Sequence, residues 1–171
     1  MGQCCSSDKA WRYTSMGRGR RDRFRREALT AHNNYRVKHG SPPLRLAGKM
    51  NSYAQKWAER CAKSGQQKHR SSNKYGENIY WFYNSSGLHG LSGEQAVESF
   101  YNEIAKYDFN KGEFTQGTGH FTQVVWKDSV RLGVGMAINS KKPNEVYAVF
   151  NYDPPGNVIG RFKENVFRPR S

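Results

Sequence analysis

Apolar residues recur at helical spacing in three parts of the chain and alternate in two others. Phe24, Ala28, Ala31 and Tyr35 share one helical face, and Pro42-Pro43 forbids continuation beyond Gly40. Met50, Tyr53, Ala54, Trp57, Ala58 and Cys61 form a second stripe, with Gly65 placed to end it. Cys61 is expected there as a small buried hydrophobe. A third helix, with Val97, Phe100, Tyr101 and Ile104 on its apolar face, follows Ser92-Gly93-Glu94-Gln95, a sequence similar to a capping box.

Alternation marks the strands. Leu132, Val134, Met136 and Ile138 predict a half-buried strand over Arg131 to Asn139. A loop to Asn144 and a second strand over Val146 to Tyr152 complete a hairpin. Phe121 to Trp126, β-branched and aromatic, reads as a short buried strand, which puts His120 where a loop meets a sheet. Between these lie a polar loop, Gln66 to Lys74, carrying His69; an aromatic run, Tyr75 to Tyr83, expected to pack on the core with Glu77 and Asn78 at its entrance; and a turn-rich linker, Tyr107 to Thr118. Spacing alone makes His32 and Arg36 an i,i+4 surface pair. The tail from Val158 reads as irregular and basic. No repeat is present, so one α+β domain over residues 25–171 is expected behind an arm over residues 1–24.

Charge changes this picture. Lys plus Arg is 28 and Asp plus Glu is 14, so the net charge is 28 − 14 = +14. That balance favours anionic partners. No window approaches the roughly 18 apolar residues of a membrane-spanning helix, and the first residues lack the apolar segment of a secretory signal. Of three cysteines, Cys4 and Cys5 are adjacent, which is poor geometry for a structural disulfide. A reducing, cytosol-facing location is therefore expected.

The N-terminal residues suggest what holds it there. Gly2 with Ser6 fits an N-myristoylation pattern, and Cys4 and Cys5 beside it are candidate palmitoylation sites. A myristoyl chain alone partitions with a constant of about 10⁴ M⁻¹, so a second signal is needed. Arg18, Arg20, Arg21, Arg23, Arg25 and Arg26 supply one, each contributing about 1 kcal/mol near an anionic leaflet. Asp22 is expected to cap the first helix, which would crowd arginines at its positive end; helix stability does not explain them, whereas an anionic surface does. Nucleic acid is disfavoured as a partner, since Phe24 is the one aromatic within the basic run and no nucleic-acid module is visible.

Four ordered motifs then carry a resemblance. Gly119-His120-Phe121-Thr122-Gln123-Val124-Val125-Trp126-Lys127-Asp128-Ser129 resembles the first signature of the CAP superfamily, the domain of cysteine-rich secretory proteins, antigen 5 and plant pathogenesis-related proteins. Phe150-Asn151-Tyr152-Asp153-Pro154-Pro155-Gly156-Asn157-Val158 resembles the second. His32-Asn33-Asn34-Tyr35-Arg36 and Gly76-Glu77-Asn78-Ile79 are similar to two further family elements. The likeness runs from Arg25 to Pro169, and Phe150 stands where secreted members carry a cysteine. It implies a three-layer αβα sandwich around a central antiparallel sheet, with a cleft lined by His69, Glu77, Glu103 and His120. Within the family the chain is similar to the lipid-anchored branch. That implies the cytosolic face of the Golgi or another endomembrane, or the plasma membrane. It also implies sterol or acidic-phospholipid binding and a homodimer; no protein partner is identified.

Two neutral imidazoles suit Zn²⁺, so His69 and His120 are the expected metal ligands. Glu77 and Glu103 could orient them from behind, or serve as general bases in a Zn-dependent hydrolase. A cluster that merely shapes the cleft is the third reading. No His-Glu-x-x-His, no Gly-x-Ser-x-Gly and no cysteine beside a histidine is present, so a non-enzymatic binding protein is the expectation and no catalytic residue is assigned.

Overall fold

The computed structural model describes residues 17–72 and 74–170; Gly2, Cys4 and Cys5 lie outside the described residues. Four strands form one sheet in the order β1-β3-β4-β2. β3 (Arg131–Asn139) and β4 (Lys142–Asp153) are the expected hairpin, and β2 (Gly76–Tyr83) pairs antiparallel with β4. β1 (Arg45–Leu46) pairs parallel with β3, so the sheet is mixed rather than wholly antiparallel.

Helices cover both faces, which gives the αβα sandwich. α2 (Gly48–Ser64) carries the predicted stripe and ends at Gly65 with φ 67°, a left-handed conformation that glycine adopts without a Cβ penalty. It packs on Ile79, Ala137, Tyr147 and Val149 through Ala54, Ala58, Cys61 and Ala62. The other layer holds α1 (Arg18–Lys38), α3 (Gly93–Tyr101) and α4 (Gly119–Val125). Phe24, Val97, Phe100 and Phe121 from these helices meet Val134, Met136, Phe150 and Tyr152 of the sheet. Alternation along β4 divides its side chains between the two layers, as the two-residue strand period requires.

Five expectations need correction, each for a packing reason. β3 is buried on both faces, not half-buried, because α2 lies directly on it. A Cβ on Gly133 would strike Met50, and one on Gly135 would strike the backbone of Gln55. The Phe121-to-Trp126 stretch is helical: Phe121 to Val125 are all buried within α4, so no polar face advertised the helical period. Asp22 caps nothing. α1 starts at Arg18 after Gly17, and Asp22 lies inside it, paired with Arg25 at 3.0 Å. The helix thus runs unbroken through the basic segment, anchored by Phe24 at 2% exposure and by a bond from Arg25 Nε to the Val134 carbonyl. His32 and Arg36 are wholly buried rather than a surface pair. Finally, the tail forms a helical turn, α5 (Phe162–Asn165), with Phe162 buried against Trp126.

Candidate functional site

Two histidine–glutamate pairs form, and they differ in construction. Glu103 sits in the 3₁₀ turn Asn102–Lys106 that follows α3. Its Oε2 accepts the backbone N–H groups of His120 at 2.9 Å and Phe121 at 3.2 Å, so it caps α4 in place of an N-cap side chain. Its Oε1 accepts His120 Nδ1–H at 2.8 Å. The His120 ring stacks on Phe100 with centroids 4.9 Å apart. Burial pushes the Glu103 carboxyl up, but the His120 ring and the two backbone N–H groups outweigh it and hold the acid below its ordinary range.

The second pair joins a loop to a strand. Glu77 lies on β2 opposite Asn151, with its side chain 3% exposed. Its Oε1 accepts His69 Nδ1–H at 3.0 Å and the Arg70 backbone N–H at 3.1 Å. The bond to Glu77 raises the His69 pKa above its ordinary value, against a smaller opposing effect of burial. His69 itself is 63% exposed.

Buried polar residues connect this region to the core. His32 Nδ1–H donates to the Ala28 carbonyl at 2.7 Å, and Tyr152 Oη–H donates to His32 Nε2 at 2.8 Å. The tautomer follows from these partners. Asn78 Nδ2 donates to Tyr152 Oη at 3.2 Å and to the His120 carbonyl at 3.1 Å. A hydrogen-bonded chain therefore runs from α1 through β4 and β2 to the turn that carries His120. Burial pushes the His32 pKa down to about 3. Arg36 donates to the carbonyls of Pro42, Val124, Trp126, Lys127 and Ser129, and so locks α4 and its exit to α1. The roles of Arg36, Tyr152, Asn78 and Phe100 were not legible in the sequence. Arg36, Asn78 and Tyr152 did lie inside the quoted motifs.

What the pairs offer chemically follows from the tautomers. Each Nδ1 donates to a carboxylate, so each Nε2 carries the lone pair a metal needs, with a carboxylate behind the ring. Each ring by itself is a donor of the kind Zn²⁺ takes. Among the described residues, no three of His, Cys, Asp and Glu gather closely enough to hold a metal ion by themselves.

The basic segment also divides. Arg23 pairs with Glu27 at 2.6 Å and Arg25 with Asp22. Arg18, Arg20, Arg21 and Arg26 have no carboxylate partner among the described residues. No described helix is long and apolar enough to cross a membrane.

Comparison with known proteins gives concordant matches. The model of the cysteine-rich secretory protein (CAP) family matches residues 29–152. Golgi-associated plant pathogenesis-related protein 1 of Homo sapiens is 39% identical over 160 residues, 91% of this chain and 99% of that protein. Pathogenesis-related protein 1C of Nicotiana tabacum is 40% identical over 136 residues, 78% of this chain and 76% of its own. A crystal structure of NaASP2 with Zn²⁺ is similar in fold, with a TM-score of 0.66 at 23% identity, covering 88% of this chain and 87% of that one.

Proposed function

The chain belongs to the cysteine-rich secretory protein (CAP) family, and on that premise we propose that it is a non-enzymatic binding protein, lipid-anchored to the cytosolic face of Golgi or related membranes. The observation that carries this reading is the division of the α1 arginines. Arg18, Arg20, Arg21 and Arg26 are left without carboxylate partners among the described residues, on one continuous helix, in a chain of net charge +14. Four such cations near an anionic leaflet contribute about 4 kcal/mol at about 1 kcal/mol each. Added to one acyl chain on Gly2 or Cys4/Cys5, that suffices for stable attachment. The similarity to a Golgi-associated relative over nearly the full length of both chains supports the location.

Flotation with liposomes tests it. Acylated protein should float with vesicles containing anionic lipid, and replacing Arg18, Arg20, Arg21 and Arg26 by Gln should shift it to the soluble fraction. Gly2→Ala should release it from membranes in cells. Unchanged flotation of the four-Gln variant would remove the electrostatic part of the reading.

The two His–Glu pairs are compatible with a second role. His69 and His120 would hold Zn²⁺ through Nε2, with Glu77 and Glu103 orienting the rings. A zinc ion there would supply Lewis acidity. A hydrolase is less favoured, because Glu103 is committed to a ring and a helix end, and Glu77 to a ring and a backbone amide. Calorimetric titration with Zn²⁺ checks this role: binding by the wild type and its loss in a His69→Ala, His120→Ala variant are the expected results.

A further inference from the structure

His120 and His69 are held by different means. His120 is built into α4, fixed by Glu103, Phe100 and Asn78. His69 lies in the loop over residues 66–72, which is irregular and depends on neighbouring elements for its place. Trp57 Nε1 donates to the Lys68 carbonyl at 2.8 Å, and Gln67 Nε2 to the Ile79 carbonyl at 2.8 Å. The strongest tie is Arg70. Its guanidinium carbon stands 3.9 Å from the Tyr53 ring centroid and 4.6 Å from that of Trp57, both on α2. Arg70 Nη2 donates to the Tyr53 carbonyl at 3.1 Å. Nε is buried with no hydrogen-bond partner among the described residues, so the aromatic rings and the Nη2 bond, not Nε, set the group's position.

We infer that Arg70 is the positioning residue for His69. Its side chain is gripped by α2, and its backbone N–H reaches the same Glu77 oxygen that takes His69 Nδ1–H. Fixing Arg70 therefore fixes the adjacent imidazole over Glu77, although 63% of the His69 side chain is exposed. Close to two rings and bonded to the Tyr53 carbonyl, the guanidinium is spent on architecture. A lysine there would keep the charge and lose the planar stack and fork. This inference rests on the reading of His69 as a ligand, but its structural half can be read separately.

The test uses the full chain. Amide hydrogen exchange over residues 66–72 and Zn²⁺ titration are measured for the wild type, Arg70→Leu, Arg70→Lys and His69→Ala. Arg70→Leu should speed exchange in that loop severalfold while α2 and β4 stay protected. It should also weaken Zn²⁺ binding about tenfold. Arg70→Lys should recover only part of either effect, and His69→Ala should lose Zn²⁺ affinity with the loop still protected. Unchanged loop exchange and Zn²⁺ affinity in Arg70→Leu would overturn the assignment, as would exchange rising everywhere together with a fall in Tm. If loop exchange responds but the wild type binds no Zn²⁺, the metal reading fails while Arg70 still positions His69. Tyr53→Leu removes one of the two rings beside the guanidinium and reads the same quantities should Arg70→Leu fail to fold.

Discussion

Glu103 binds His120 twice over: one carboxylate oxygen takes the ring Nδ1–H at 2.8 Å, and the other takes the residue's own backbone N–H at 2.9 Å. A single acid thus caps α4 and selects the imidazole tautomer. Glu103→Gln keeps the size but loses one acceptor. It should cost about 1–2 kcal/mol of stability in urea unfolding, in the range of a lost helix cap. Because the folded-state pKa of Glu103 is depressed, its contribution is present above the ordinary glutamate pKa and is lost as pH falls through the folded value. The difference between wild type and variant should therefore shrink in acid.

His32 predicts a pH dependence of its own. In the folded protein its ring stays neutral down to about 3, while in the unfolded chain it protonates near its ordinary value of 6.5. Across that window the unfolded state binds more protons, so stability is present above 6.5 and falls as pH drops. The limiting slope for one such group is about 1.4 kcal/mol per pH unit. His32→Asn should be less stable at neutral pH and show a flatter profile between 6.5 and 4 by chemical denaturation.

Arg36 is a wholly buried cation whose hydrogen bonds all go to backbone carbonyls. Arg36→Leu strands those carbonyls in the interior. A loss of about 3–5 kcal/mol in unfolding free energy is expected. Arg36→Lys should recover only part of it, since an ammonium cannot span carbonyls from Pro42 to Ser129.

Two glycines should behave oppositely. Gly135→Ala forces a methyl into the α2 backbone and should cost about 3 kcal/mol. Gly19→Ala, in α1 with nothing within 4 Å of the added carbon, should stabilise by about 0.5–1 kcal/mol. Thermal unfolding of both variants checks the contrast, and flotation of Gly19→Ala with anionic vesicles should match the wild type.

Much of the architecture was legible because apolar spacing reports burial when one face is wet. α2 and its Gly65 terminus, the β3–β4 hairpin and the Ser92 cap, whose side chain accepts from Gln95 N–H, follow from pattern alone. The reading failed where both faces are dry. α4 is buried from Phe121 to Val125 and looked like a strand, and β3 hid its second buried face behind Gly133 and Gly135. His32 and Arg36 misled for a related reason: polar residues at i,i+4 imply solvent unless the carbonyls that receive them are known.

The site divides the same way. Residue order supplied the four motifs and the charge on the N-terminal segment, because these are local properties of the chain. Pairing His69 with Glu77 and His120 with Glu103, 8 and 17 residues apart, was decided by the folded chain. So was the division of the arginines into ion-paired Arg23 and Arg25 and Arg18, Arg20, Arg21 and Arg26, which have no carboxylate partner among the described residues. Hydrogen bonds depend on distance and direction in space, and separation along the chain specifies neither until helices and sheet have packed.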